Sequence, residues 1–406
     1  MRLTHLSLTN FRLFSRLDMD MPRRILLLVG SNAQGKTSLL EAIYFLSTFS
    51  SFHAQTDRQL INFLAGQESL AVGRLVATYE RADRQHRLEV RLIQDLNGNG
   101  GTRQRKEVLL DGVKIHANQA VGHFSSVIFL PQMTRILEGG PDERRRYLNL
   151  AIAQANPGFS QILTDYNQAL TQRNALLKQL NEHGGDPEQL VFWDNVLTSK
   201  GAVIISLRIQ AIKQLEQLAV RIHEKLSGSA EVIRLLYQPS YDPLPEPTGQ
   251  FTLPIQTTVQ RDGFTIAQIQ QGFAAKLGEV RREEIARAVT TIGPHRDEMR
   301  IQCNGIDLTD FGSRGQVRTA ILALKLAEVD WLKQVTGEWP VLLMDETLAE
   351  LDAQRRGYLL EYLEKSEQAI LTTTDMNLFP SGFSQKCERW QVSLGNIERL
   401  ESDNAD

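Results

Sequence analysis

Cysteine is scarce in this chain: Cys303 and Cys387 are the only two among 406 residues. They lack the spacing of paired metal ligands, which argues against a zinc site or a disulfide framework and fits a reducing compartment. No run of eighteen apolar residues occurs, so no segment is expected to span a membrane. A charged-then-apolar leader is missing too, since Leu3 to Leu8 is too short and too polar for one. Together these absences predict a cytoplasmic protein without a membrane partner. Excess charge of one sign is also lacking. The formal net charge is −3, so any nucleic-acid contact must come from a local basic patch. Internal repeats and long low-complexity tracts are absent. What remains is long enough for two or three units, each with a core.

The chain is organised around Ile25-Leu26-Leu27-Leu28-Val29 and the Gly30-Ser31-Asn32-Ala33-Gln34-Gly35-Lys36-Thr37 that follows. Five consecutive apolar residues predict a strand buried on both faces, as in a parallel sheet. The next eight fit G-x-x-x-x-G-K-[ST], the phosphate-binding loop. Ser38 to Leu46 is predicted helical, with Leu39, Ile43 and Leu46 on one face. Strand, loop and helix N-terminus in this order let backbone N–H groups and the helix dipole hold a triphosphate. In that reading Lys36 reaches the β- and γ-phosphates and Thr37 ligates Mg²⁺, so ATP and Mg²⁺ are the expected cofactors.

Short alternating runs at Leu3–Leu8 and Asp18–Met21 predict a hairpin before this strand. Ser69 to Tyr79, Arg87 to Leu92 and Glu107 to Leu110 predict an antiparallel patch, interrupted by Asn97-Gly98-Asn99-Gly100-Gly101. Val127 to Leu130 is a further buried strand. From Pro141 the pattern turns helical: Asp142 to Ala155, Phe159 to Leu180, and Pro187 to Leu226. The last of these would be roughly 60 Å long, and with its predecessor forms an αα-hairpin arm. A proline-rich linker at Ser240 to Gln250 precedes a helix from Phe264 to Val289. Strands return near Met299-Arg300-Ile301 and at Val341 to Met344. The fold expected is α/β: a head made of residues 1–140 and 290–406, with an inserted helical lobe at 141–289. After Phe379 no motif is legible.

Val341-Leu342-Leu343-Met344-Asp345-Glu346 is an apolar strand ending in two carboxylates. Beside a phosphate loop, Asp345 suits the Mg²⁺ shell and Glu346 suits activation of water; alone, the pair could simply cap a helix. Ser313-Arg314-Gly315-Gln316 opens a helical run from Val317 to Lys333. Ser313 and Gln316 form a capping box, and a capped helix N-terminus with Gly315 beside it is also an anion site. In the functional reading it meets the triphosphate held by a second copy, so that two sites form only in a dimer. Leu348-Ala349-Glu350-Leu351-Asp352 suits a loop packed across such a dimer. Thr372, at the end of the Ala369-Ile370-Leu371 strand, could sense the γ-phosphate or merely end the strand. Gln132 could touch Mg²⁺ or its water, or face solvent. Arg12 could meet phosphate or base, or form a surface ion pair.

Phosphate loop, Ser-x-Gly-Gln helix, acidic strand and Glu-Leu-Asp loop, in this order, resemble ABC-type ATPases. The finer pattern resembles the RecF family of bacterial DNA replication and repair proteins, ABC-type ATPases related to SMC heads. The residues carrying that likeness are Asn10-Phe11-Arg12, Gly35 to Tyr44, Glu143-Arg144-Arg145-Arg146, Gln172 to Lys178 and Gly293-Pro294-His295-Arg296-Asp297. The resemblance implies an ABC-type head with an antiparallel patch and an inserted helical lobe. It also implies an ATP-dependent homodimer that binds double-stranded and gapped DNA. Working with RecR and RecO to load RecA, and a slow turnover coupled to release, follow from the same likeness. Three positions depart from the family pattern. Pro131-Gln132-Met133 stands for Pro-Glu-Asp, Asp345-Glu346 for Asp-Asp, and Ser51-Phe52-His53 for Ser-Phe-Arg.

Candidate DNA contacts are Arg103, Arg105, Lys106 and Arg144 to Arg146, each of which could equally be a solvated surface residue. Competing readings are a transport ATPase docked on a membrane partner, a chromosome-organising ATPase, and a small-molecule kinase. The arm, with room for only about six heptads, opposes a long coiled coil.

Overall fold

The computed structural model describes residues 1–96, 102–229, 231–244 and 261–400. The glycine-rich break at 97–101 and the later part of the proline-rich linker lie outside them. The chain divides into two compact units, Met1–Met133 with Glu328–Asp406, and Thr134–Ala327.

Strands are numbered along the chain: β1 Arg2–Phe11, β2 Phe14–Asp20, β3 Ile25–Val29, β4 Leu70–Arg81, β5 Arg84–Leu96, β6 Thr102–Leu110, β7 Val113–Ile115, β8 Ser126–Phe129, β9 Ile233–Gln238, β10 Glu298–Cys303, β11 Ile306–Asp307, β12 Val341–Asp345, β13 Ala369–Thr373, β14 Cys387–Ser393 and β15 Asn396–Arg399. The first unit holds two sheets. One is antiparallel, in the order β2-β1-β4-β5-β6-β7. In β1, Leu3 and Leu6 are both buried although three apart; a register shift between Leu3 and His5 restores the two-residue alternation. The other sheet runs β15-β14-β3-β13-β12-β8 and is parallel apart from β15. Its central strands are apolar along their length, as burial on both faces demands. The Lys36–Thr48 helix shares one core with both sheets, through Leu39, Ile43, Leu6, Leu75 and Leu28.

The second unit is mainly helical. Helices Phe159–His183 and Leu190–Ser227 pair as expected, but they do not form a bare hairpin. Helix Ile266–Arg287 packs against both, making a three-helix bundle. Arg173, fully buried, ties the bundle together. It reaches Asp194 at 2.6 Å, Glu284 at 2.7 Å and Thr290 at 2.8 Å. The Leu190–Ser227 helix is apolar and long enough to cross a membrane by composition alone, but half of its most apolar stretch is buried in the protein. Several of its charged groups pair within the unit, as in Arg208–Asp297 and Lys200–Asp165.

The unit boundaries differ from those read in the sequence, because β9, β10 and β11 form a small sheet with the helical unit. That sheet frames Gly293 to Asp297. Asp297 accepts from Arg208, the Tyr237 hydroxyl and the Ser240 N–H. His295 Nδ1 lies 2.7 Å from the Tyr166 hydroxyl. Gly293 sits at φ +124, where a Cβ would stand 2.6 Å from that same hydroxyl. The motif is therefore an internal clasp.

Candidate nucleotide site

Parallel pairing fixes the edge of the site. Register places Asp345 beside Thr372 and Thr373 beside Val29, so β3, β12 and β13 end together. The phosphate loop leaves β3 at this edge. Its helix begins at Lys36, two residues earlier than the sequence pattern predicts, after Gly35 at φ +113. Ser31, Asn32 and Ala33 are exposed at the loop tip, while Gly35 and Lys36 are buried and Thr37 and Ser38 are half-buried. Lys36 Nζ donates to the Gly30 carbonyl, lies 3.0 Å from the Ser31 carbonyl, and stands 3.3 Å from Glu346 Oε1.

A brace for this loop comes from the tail, where the sequence shows no motif. The Leu394 N–H donates to Gln34 Oε1 at 2.7 Å, and the Gly395 N–H to the Gln34 carbonyl at 3.0 Å. Gly30 packs so closely on β14 that a Cβ would lie 2.4 Å from the Val392 carbonyl oxygen.

Thr37 Oγ1 lies 3.0 and 2.9 Å from the two carboxylate oxygens of Asp345. Two ligands at right angles on an ion bound at 2.0–2.1 Å lie about 3 Å apart, so this oxygen pair fits Mg²⁺. Thr372 Oγ1 donates to Asp345 Oδ1 at 2.7 Å and accepts the Glu346 N–H at 3.1 Å. Glu346 takes φ +47, a left-handed backbone uncommon for a non-glycine residue, and its side chain keeps 36% exposure. Thr372 thus holds the Asp345 carboxylate and the Glu346 backbone, a role the sequence did not assign to it. Gln132 is exposed, in the short turn that follows β8, and β8 pairs with β12.

Several candidates have other engagements. Arg12 donates to both carboxylate oxygens of buried Glu41, at 2.7 and 2.8 Å, and to the Gln59 carbonyl. Arg12 is thus ion-paired with a buried carboxylate. Arg144 is buried and forks onto Glu298, both bonds 2.7 Å, while also donating to the Gly139 carbonyl. Arg145 donates to the Asp297 carbonyl and to Asp142. Lys106 is held by Asp57 at 3.0 Å and lies 4.7 Å over the Phe45 ring. Arg144, Arg145 and Lys106 are thus each engaged by partners within the protein. Arg146 is exposed. Arg103 and Arg105 are exposed on β6, on the sheet face shared with Arg74 and Arg91.

In the helical unit, Ser313 and Gln316 form the expected capping box. The Gln316 N–H donates to Ser313 Oγ at 3.2 Å, and the Ser313 N–H to Gln316 Oε1 at 3.0 Å. Ser313, Arg314 and Gly315 are exposed. A Cβ on Gly315 would meet nothing within 4 Å, so this chain's own packing does not require glycine there. Asp352, in the acidic loop, caps the Ala353–Lys365 helix through the Arg355 N–H.

The family model described as RecF/RecN/SMC N terminal domain matches residues 2–388. The DNA replication and repair protein RecF of Roseiflexus castenholzii is 37% identical over 409 residues, covering 98% of this chain and 99% of that protein. The chain belongs to the RecF family. The RecF of Exiguobacterium is 33% identical, covering 98% of this chain and 99% of that one. Among solved structures, the recombination mediator protein RecF with ATPrS, of the RecFOR pathway, superposes with a TM-score of 0.80 at 28% identity and 98% coverage of each chain. An SMC head bound to the C-winged helix domain of ScpA, at 14% identity and TM-score 0.53, shares the fold alone; it covers 100% of this chain and 99% of that one. The fold is that of an ATP-binding ATPase head.

Proposed function

We propose that this RecF-family ATPase is a nucleotide-controlled DNA clamp of replication and recombinational repair in the cytoplasm. The observation carrying this reading is the pairing of a complete Lys36–Thr37–Asp345–Glu346 group with an exposed, capped Ser313–Gln316 helix N-terminus. The loop amides and Lys36 bind the triphosphate of ATP. Thr37 and Asp345 would hold Mg²⁺, which supplies charge neutralisation at the β- and γ-phosphates. Glu346, held by Lys36 and by its N–H bond to Thr372, orients the attacking water and draws off its proton.

The Ser313–Gly315 segment of a second copy completes the site, with the first-turn amides and the positive end of the helix dipole. A glycine in a helix costs roughly 0.5–1 kcal/mol relative to alanine. Close approach by the second copy gives Gly315 a purpose. The dimer closes on double-stranded DNA at gaps, works with RecR and RecO toward RecA loading, and releases on slow hydrolysis. Two features support the DNA reading: the names its relatives carry and the exposed arginines of β6.

The test is steady-state ATP turnover across protein concentrations, with and without duplex DNA. A rate per protomer that climbs with concentration and with DNA is expected. A rate flat in both returns Ser313 to a plain helix cap and removes the clamp.

A further inference from the structure

Three metal-ligating side chains, distant in sequence, meet inside the helical unit. His223 comes from the Leu190–Ser227 helix, Glu231 from the segment after it, and Cys303 from the end of β10. One ligand atom of each lies within 4.8 Å of the other two. His223 Nε2 stands 3.9 Å from Glu231 Oε2. His223 and Cys303 are buried, whereas the Glu231 side chain keeps 22% exposure, which leaves a way in from solvent.

Two further contacts orient these groups. His223 Nδ1 lies 3.3 Å from the Glu231 carbonyl oxygen, an arrangement that directs Nε2 toward the cluster. Gln316 Nε2 donates to Glu231 Oε1 at 2.7 Å, fixing the carboxylate from its other side. Metal-binding imidazoles and carboxylates are commonly held by such outer hydrogen bonds.

We propose that His223, Glu231 and Cys303 form a binding site for a zinc-class divalent cation, with water as the fourth ligand. Imidazole with a sulfur ligand selects zinc-class ions over Mg²⁺ and Ca²⁺, which take oxygen. Tetrahedral zinc at its usual bond lengths sets ligand atoms roughly 3.3–3.8 Å apart, so the cluster must close by about 1 Å. On binding, the Cys303 S–H bond breaks, a metal–sulfur bond forms, and the proton leaves to solvent. Without metal the thiol is pushed up to about 12, chiefly by burial and further by Glu231, so it stays protonated. Cysteine spacing hides the site, because its ligands come from a helix, a loop and a strand. The ion would also fix Glu231, which holds Gln316 of the capping box.

The test uses the full chain, free of nucleotide, titrated with Co²⁺ and then Zn²⁺. One equivalent of Co²⁺ is expected to give a thiolate-to-cobalt charge-transfer band, which Zn²⁺ abolishes. Cobalt on the oxygen ligands Thr37 and Asp345 gives no such band. C303S should lose the band and C387S should keep it. H223Q, checked for folding by circular dichroism, should weaken Co²⁺ affinity at least about tenfold. Absence of the band in the folded native chain overturns the proposal and leaves a hydrogen-bonded core triad. A band lost in C387S but kept in C303S overturns it equally.

Discussion

Replacing Thr372 with valine isolates the part of the nucleotide site that the sequence did not explain. Valine keeps the shape of threonine and removes only the hydroxyl. Two bonds go with it: the 2.7 Å donation to Asp345 Oδ1 and the 3.1 Å acceptance from the Glu346 N–H. A hydrogen bond to a charged partner contributes about 1.5–3 kcal/mol. If that ordering is needed in the transition state, turnover falls by about 10- to 150-fold, at 1.36 kcal/mol per decade. Asp345 loses its anchor as well, so half-saturation by Mg²⁺ should move to higher concentration while metal-free ATP binding stays unchanged. The assay is ATP turnover at saturating nucleotide over a Mg²⁺ titration, with T372S as the control that restores the hydroxyl. A T372V turnover within about twofold of the native rate would refute the positioning role, since the hydrogen-bond energy predicts at least a decade. Equal damage in T372S would assign the effect to packing.

Arg144→Ala strands a partly buried Glu298 and should lower unfolding stability by about 3–5 kcal/mol in urea titrations; undiminished stability with lost DNA binding would revive Arg144 as a DNA contact. Changing both Arg103 and Arg105 to alanine should leave stability unchanged and reduce the slope of log affinity for duplex against log salt by about 2, and an unaltered slope removes β6 from the interface. His295 is held neutral, chiefly by burial, and its pKa falls from 6.5 to about 4. Between those values the unfolded chain binds a proton that the folded chain refuses. This contribution is therefore complete above pH 6.5 and is lost as pH drops toward 4. Urea midpoints of H295Q should show a shallower acid decline than the native protein over that range, and parallel curves would contradict the assignment.

The parts legible in the sequence were those whose signal is local. Five apolar residues followed by Gly30 announce a buried strand and its phosphate loop, because burial on both faces requires continuous hydrophobicity. Ser313 and Gln316 announced their capping box through spacing alone. Lys106 and Arg144 are harder to read for the opposite reason. A basic run looks the same whether its charges face water or pair with partners dozens of residues away, such as Asp57 and Glu298. Gly293 to Asp297 was conspicuous as a motif yet opaque in purpose, since each of its partners, Tyr166, Arg208 and Tyr237, lies on a different element. Strand β14 has no clear pattern because Cys387–Ser393 mixes polar and apolar residues, unlike the apolar central strands β3, β13 and β12.

That last strand changes how the site should be understood. β3 lies between β13 and β14, both drawn from the final part of the chain, and Val29 pairs with Thr373 and with Gln391. The two strands do different work on the same loop. β13 brings Thr372 to the acidic pair, whereas β14 and its turn grip Gly30 and Gln34. The phosphate loop is local in sequence, but its conformation is enforced by pairings of very long range. The absence of a Cβ at Gly30 therefore serves β14 as well as phosphate: any larger residue would push against the Val392 carbonyl before it reached the nucleotide. The conformation of the phosphate loop is therefore set by strands from both the early and the late part of the chain.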